Sequence, residues 1–123
     1  MAKLIDANVI LRYLLKDHPQ MSESARQTIA EGAFTLPEIL AEVVYVLKGG
    51  YEVERKEIAQ VLIDFLEEIS LENKELYREA LTIFAETSLD FVDCILIARQ
   101  IILGDEIVTF DKKLNNALDR RKE

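Results

Sequence analysis

The segment that decides the fold is KLIDANVILRYLL, residues 3–15. A short apolar run, AKLI, ends at Asp6, and the apolar residues after it recur at helical spacing. The pattern predicts a strand that passes into a helix from Val9 to Lys16, with Asn8 as the N-cap. Asp6 then places a carboxylate at a strand-helix junction whose neighbours have the pattern of a core, and this position requires an explanation.

The same alternation of short apolar strands and amphipathic helices continues along the chain. Further strands are predicted at AFTL (33–36), ISL (69–71) and EIVTF (106–110). Helices are predicted from Pro19 to just before Gly32, from about Glu38 to Lys48, from about Glu54 to Glu68, around residues 76–84, over residues 91–103 and from Lys112 onward. The helix over residues 91–103, FVDCILIARQIIL, is apolar nearly all round and is expected to be buried. The fold class is therefore α/β, with a central parallel sheet of about four strands covered by about seven helices on both faces.

Composition limits the class of protein. A chain of 123 residues that is 50% hydrophobic predicts one domain, residues 1–123, with a substantial core. No apolar run of about 18 residues and no secretory leader is visible, so we expect no membrane association and a cytoplasmic protein. Cys94 is the single cysteine, which excludes an internal disulfide and a cysteine zinc site, and we expect it to be a small buried side chain.

The net charge of −8 argues against nucleic-acid binding through an overall positive potential. A local basic rim remains open, because Arg12 and Lys16 share one side of the first helix. A second group of basic residues lies near the end of the chain: Lys112, Lys113, Arg120, Arg121 and Lys122.

Two acidic residues follow predicted strands. Asp6 follows the first strand and Asp111 follows EIVTF, so both are expected at the same edge of a parallel sheet, where such sheets bind ligands. Asp93 lies in the first turn of the sixth helix, three residues after Asp90. Glu42 lies in the middle of the third helix, among apolar residues.

All of these acids except Glu42 have a structural alternative that the sequence leaves open. Asp6 fits an Asx-turn, Asp90 and Asp93 fit a capping pair, and Asp111 fits a helix cap. Glu42 caps nothing, and ionising it among apolar residues without a partner would cost several kcal/mol.

A divalent cation would explain why four acids converge on one site. These four are Asp6, Glu42, Asp93 and Asp111. Mg²⁺ and Mn²⁺ prefer oxygen ligands and need only a few carboxylates from the protein. The sole histidine, His18, lies in the polar segment KDHPQ and is expected at the surface without a catalytic part. The chain has no glycine-rich phosphate loop, no G-x-S-x-G elbow and no H-E-x-x-H pair. Metal-assisted phosphoryl chemistry is the class that these absences leave.

Four segments carry a resemblance to a known family: LIDANVILRYLL, PEILAEVVYVLKGGY, LDFVDCILIARQ and IVTFDKKL. In order and spacing they resemble the acidic motifs of the PIN-domain ribonucleases, especially the VapC-type toxins of toxin-antitoxin pairs. The resemblance implies a three-layer PIN-like fold and an endoribonuclease that uses Mg²⁺ or Mn²⁺. It also implies a homodimer that a small antitoxin protein inhibits.

The resemblance further assigns roles to the acids. Asp6 and Asp93 would be the principal metal ligands, Glu42 would bind metal or hold a metal-bound water, and Asp111 would support a second ion. Smaller roles are implied beside them: Asn8 and Thr109 would orient the acids, and Asp90 would cap its helix or join them. Arg12 and Lys16 are candidates for contacts to RNA phosphates, although solvated helix faces would show the same pattern.

Two other functions stay open from the sequence. A phosphoacceptor receiver module has the same size and acidity, but it requires paired acids after its first strand and another Asp after a middle strand. A nuclease of the same fold that acts on DNA, or an inactive homologue, is equally compatible with the residues.

Overall fold

The computed structural model describes the backbone of residues 1–122 and the side chains of residues 1–120, so the predicted basic side chains of Arg121 and Lys122 lie outside the described residues. Over this range the chain forms two short strands and seven helices. The elements in order are β1 (Lys3–Leu4), α1 (Ala7–Leu15), α2 (Pro19–Ala30), β2 (Ala33–Phe34), α3 (Pro37–Gly49), α4 (Arg55–Leu66), α5 (Lys74–Glu86), α6 (Phe91–Leu103) and α7 (Lys112–Lys122).

The sheet is parallel but small. β1 pairs with β2, with Lys3 opposite Ala33 and Leu4 opposite Phe34. Ser70 adds an isolated parallel bridge to Phe34. The prediction of an α/β fold with parallel strands is therefore confirmed. The prediction of about four strands is wrong, because the described residues form two strands and this bridge.

The segment EIVTF, predicted as a strand, has no regular secondary structure and pairs with no strand among the described residues. Its side chains alternate as in a strand: Ile107 and Thr109 are half-buried, whereas Val108 and Phe110 are exposed, Phe110 completely. The strand was predicted from a short apolar run. Such a run does not specify a neighbouring strand to supply hydrogen bonds, and this is why the prediction of a strand here is wrong.

The helices lie close to their predicted bounds, and their ends follow from capping. α2 begins after His18, whose Nδ1 accepts the Met21 N–H at 3.4 Å, and the imidazole is exposed as expected. α6 ends at Gly104, which has φ of +73° and whose N–H bonds the Gln100 carbonyl at 3.2 Å. A glycine suits this left-handed cap because it has no Cβ to clash.

One contiguous core joins the helices to the sheet. Its largest fully buried side chains are Phe65, Phe84, Ile10, Leu40, Ile58, Leu62, Leu66, Leu76, Leu81, Ile83, Ile97 and Leu114. Cys94 belongs to this core, and burial raises the pKa of its thiol to about 11, so the expectation of a small buried side chain is confirmed. Within the described residues, no helix combines the length and apolar character needed to cross a bilayer.

The expectation that α6 is buried on all sides is wrong. Four of its side chains form one buried stripe, Phe91, Cys94, Ile97 and Ala98. Four others are exposed, Val92, Ile101, Ile102 and Leu103. Helix packing covers one stripe of a helix, so an apolar residue outside that stripe stays in contact with solvent unless another element covers it.

Candidate functional site

Asp6 lies at the carboxyl end of β1 and is the N-cap of α1. Its Oδ1 accepts the Val9 N–H at 3.0 Å, so α1 begins at Ala7, and Asn8, predicted as the cap, lies in the first turn. The Asp6 carboxylate therefore has a local structural role, but as an N-cap bonded three residues on and not as the predicted Asx-turn. Oδ2 makes no hydrogen bond within the described residues, and the side chain is exposed. The buried hydroxyl of Thr35 donates to the Ile5 carbonyl at 3.2 Å, which fixes the end of β1 beside β2.

Asp93 occupies the first turn of α6 and is half-buried. It makes no hydrogen bond or ion pair to the residues that the structure describes. Asp90 is the N-cap by position, but its side chain makes no capping bond, so the predicted capping pair is not formed. Burial raises the pKa of Asp93, the negative charges of Asp90 and Asp111 raise it further, and Lys113 lowers it. These carboxylates therefore lie within electrostatic reach of one another.

Asp111 reaches this neighbourhood because of the lengths of two elements. α6 has 13 residues and rises about 20 Å. The six residues 105–110 can span up to about 20 Å at about 3.3 Å per residue, so they are long enough to return the chain to the level of the first turn of α6. The Lys113 ammonium donates to the Ser88 carbonyl at 3.3 Å, which ties the start of α7 to the turn before α6. We call Asp90, Asp93 and Asp111 the acidic cluster.

The Asp111 carboxylate is held in place by its own backbone. Its Oδ1 accepts the Leu114 N–H at 2.8 Å, so the capping alternative for Asp111 is confirmed. The hydroxyl of Thr109 accepts the Asp111 N–H at 3.1 Å, and the Thr109 carbonyl accepts from the Asn115 amide at 2.8 Å. Thr109 therefore orients Asp111 through the backbone.

Glu42 is exposed on α3, and the argument that burial makes its ionisation costly is wrong. The buried residues of α3 are Leu40, Val43, Val44 and Leu47, which form one stripe on the core side. Glu42 lies on the opposite side together with Glu38 and Tyr45, which are also exposed. The apolar neighbours in sequence are therefore not neighbours of Glu42 in space.

The four predicted acids do not form a ready metal site. Among residues 1–122, no group of three or more His, Cys, Asp or Glu side chains is arranged to hold a metal ion. The structure brings Asp93 and Asp111 together with Asp90. It places Asp6 at the end of β1 and Glu42 on α3, with both carboxylates exposed to solvent.

The predicted basic contacts have different environments. The Arg12 guanidinium donates to Asp17 and to the hydroxyl of Tyr51, each at 3.0 Å. It therefore joins the end of α1 to the segment after α3, and is not available as a rim cation. Lys16 is exposed and ends α1, with its N–H bonded to the Arg12 carbonyl at 3.1 Å. Asn8 is exposed, and its side-chain amide makes no hydrogen bond to the described residues.

Arg55, at the start of α4, holds the turn that leads into the acidic cluster. Its Nε donates to the Phe84 carbonyl at 2.8 Å, and a terminal nitrogen donates to the Leu89 carbonyl, directly before Asp90. The guanidinium carbon lies 3.7 Å from the centroid of the Phe84 ring, a cation–π contact. Burial lowers the pKa of Arg55. Sequence reasoning missed this residue because its partners are about 30 residues away along the chain.

A cleft of about 430 Å³ lies between α3 and the first turn of α6, and we call it the α3–α6 cleft. Asp90 and Asp93 line one side of it. The residues from α3 share one face of the helix, because they lie three, four, seven and eight residues after the first of them: Ala41, Val44, Tyr45, Lys48 and Gly49. Sequence reasoning missed Tyr45 and Lys48, although this spacing after Ala41 was visible in the sequence.

Comparison with known proteins agrees with this geometry. The family model described as the PIN domain matches residues 3–118. The chain belongs to the PIN domain family. A curated relative of this PIN domain is the VapC ribonuclease of Aquifex aeolicus (strain VF5), 29% identical over 120 residues that cover 90% of this chain and 88% of that protein. None of the solved structures matches the chain significantly.

Proposed function

We propose that this PIN domain is a metal-dependent endoribonuclease that hydrolyses RNA phosphodiester bonds and is the toxin of a toxin-antitoxin pair. The observation that carries the proposal is the environment of Asp93, a half-buried carboxylate without a hydrogen-bond donor, beside Asp90 and Asp111. Carboxylates that repel one another are stabilised by a cation. The similarity to a protein named VapC ribonuclease supports RNA as the substrate.

The residues present fit Mg²⁺ or Mn²⁺ in their chemistry, because carboxylate oxygens are the ligands that these ions prefer. Asp93 and Asp111 would hold the ion, and Asp6 and Glu42 are proposed to complete the quartet from β1 and α3. When bound, such an ion activates water and stabilises charge on the phosphate.

The chain itself supplies orientation. Thr109 and Leu114 fix the Asp111 carboxylate, and Arg55 fixes the turn before Asp90. Lys113 supplies the positive charge that offsets part of the repulsion at Asp93. Asn8 is proposed to support Asp6 by donating a hydrogen bond from its amide, and Asp90 is proposed to add a further carboxylate beside Asp93.

A small antitoxin and a second copy of the chain are the proposed protein partners, and the cytoplasm is the proposed location of this single domain. Exposed apolar side chains support a protein partner, since they favour burial against another surface. They lie at the end of α6 and in the segment after it: Ile101, Ile102, Leu103, Val108 and Phe110. The receiver alternative is excluded by the PIN domain match.

Cleavage of RNA and DNA of the same sequence tests the proposed activity. In Mn²⁺ we expect the purified protein to cut single-stranded RNA at least about 10-fold faster than the matching DNA, and to cut neither in EDTA. Gel analysis of end-labelled substrates measures both rates. Equal cleavage of DNA would contradict the assignment to RNA, and cleavage in EDTA would contradict the metal requirement.

The two roles of Asp6 can be separated by substitution. Asp6→Ser keeps an N-cap oxygen, so we expect a melting temperature within about 2 °C of wild type, whereas Asp6→Ala loses the cap and about 1 kcal/mol, or about 4 °C. Both variants lack the carboxylate, and we expect both to lose cleavage to the same extent. Full activity in Asp6→Ser would show that Asp6 serves only as a cap.

A further inference from the structure

The α3–α6 cleft has more room than the acidic cluster needs. Its volume of about 430 Å³ lies in the range of sites that bind small molecules, about 300–1,000 Å³. Much of its wall is apolar, formed by Val44, Phe84, Phe91 and Val92. The rings of Phe84 and Phe91 lie edge to face with their centroids 6.0 Å apart. The cleft is therefore a preformed apolar surface that continues from Asp93.

Tyr45 lies on the rim of this cleft and is 79% exposed. Its hydroxyl makes no hydrogen bond, and its ring makes no aromatic or cation–π contact, with the residues that the structure describes. An exposed aromatic ring beside an apolar wall is a surface on which a nucleobase can stack, since every base has a π-face.

Lys48 lies on the same face of α3, one turn beyond Tyr45, and is exposed. Its ammonium makes no ion pair within the described residues. Ala41 and Lys48 are seven residues apart, or about 10 Å along the helix. The cleft therefore has carboxylates on one wall, an aromatic ring on its rim and a cation toward the C-terminal end of α3.

We infer that the α3–α6 cleft binds the nucleotide next to the bond that is cut in single-stranded RNA. The base stacks on Tyr45, and the following phosphate pairs with Lys48. This inference rests on the proposed function, because it takes the acidic cluster as the position of the reacting phosphate. It adds a binding subsite made of residues outside the four acidic motifs.

The charges favour a nucleotide over an apolar protein segment. An apolar segment would cover the walls, but would bring no negative group to Lys48 and no cation to Asp90 and Asp93. A phosphodiester chain supplies an anion at Lys48, an aromatic base at Tyr45 and a second phosphate for the ion at the acidic cluster. One ligand thus complements all three features.

Binding without cleavage tests the inference. Fluorescence anisotropy with a labelled single-stranded RNA of mixed sequence is measured in Ca²⁺, which takes oxygen ligands but is used here because we expect it to support binding without turnover. We expect Tyr45→Ala to weaken binding about 10-fold and Tyr45→Phe to leave it unchanged. We expect Lys48→Ala to weaken binding about 5-fold and to reduce the salt dependence by about one phosphate contact. The matched control is Lys56→Ala, because Lys56 is an exposed lysine on α4, outside the cleft.

Each alternative outcome is distinguishable. If wild type binds and cleaves RNA, but Tyr45→Ala and Lys48→Ala bind as tightly as Lys56→Ala, the inference is wrong and the proposed function stands. If these two variants change a dimer into a monomer in sedimentation and leave RNA binding unchanged, the cleft is an interface between copies of this chain. If wild type neither binds nor cleaves RNA, the proposed function itself fails. Melting temperatures equal to wild type show that the exposed substitutions leave the fold intact.

Discussion

We expect Asp93→Asn to lower the rate of RNA cleavage by at least about 100-fold. The substitution keeps the shape of the side chain and removes the negative charge that the proposed ion requires. Loss of residues that merely support a metal ligand costs about 10- to 100-fold, so loss of a ligand is expected to cost more. Single-turnover cleavage of end-labelled RNA in Mn²⁺ measures the effect.

The matched control is Asp64→Asn. Asp64 is exposed on α4, outside the acidic cluster, and accepts a hydrogen bond from Gln60 that an Asn oxygen can also accept. We expect Asp64→Asn to cleave RNA at the wild-type rate. Loss of cleavage in Asp93→Asn purified in the same way then excludes a contaminating nuclease as the source of activity. Equal cleavage by wild type and Asp93→Asn would remove the catalytic assignment of Asp93.

Arg55→Met destabilises the protein by about 3 kcal/mol, which lowers the melting temperature by about 12 °C for a domain of this size. Met retains much of the apolar stem but leaves the carbonyls of Phe84 and Leu89 without their charged donor, and an unsatisfied buried carbonyl costs about 1–3 kcal/mol. The cation–π contact with the Phe84 ring is lost as well. Chemical denaturation measures the change in the free energy of unfolding.

Arg55→Lys is expected to recover about half of this loss, because an ammonium keeps the charge and can reach one carbonyl but lacks the planar fork that reaches two. Arg26→Met is the control, since Arg26 pairs with Glu23 on the exposed surface of α2 and such pairs contribute little. The assignment of Arg55 fails if Arg55→Met and Arg26→Met unfold at the same denaturant concentration.

Local sequence patterns predicted most of the helices, and they predicted where several of the acids lie relative to the ends of helices and strands. The helical spacing between Ile58 and Phe65, and the glycine at 104, depend on nearest neighbours in the helix and so are visible in the sequence. Strand pairing is different, because it depends on segments distant in sequence. EIVTF and ISL have the apolar composition of strands, but within the described residues only Ser70 of these segments bridges to another strand.

The site shows the same division between local and distant information. Asp6 and Asp111 follow apolar segments. The cap at Asp111 was predicted because its bond is local, whereas the cap predicted at Asn8 lies at Asp6. The exposure of Glu42 was not predicted. Its neighbours in sequence are apolar, but adjacent residues of a helix point in different directions, so the neighbours can be buried while Glu42 is exposed. Arg12 was expected at a substrate rim, but its contact with Tyr51 joins residues 39 positions apart, which no local pattern indicates.

The central claim is that a divalent cation binds at Asp93 and Asp111 and offsets the repulsion among Asp90, Asp93 and Asp111. The most direct measurement is the melting temperature of wild type and of Asp93→Asn in EDTA and in Mn²⁺. We predict that the variant in EDTA is at least as stable as wild type, because one repelling charge is gone, and that Mn²⁺ raises the melting temperature of wild type by several degrees more than that of the variant. A variant that is strongly destabilised in EDTA, or an equal response of both proteins to Mn²⁺, would contradict the claim.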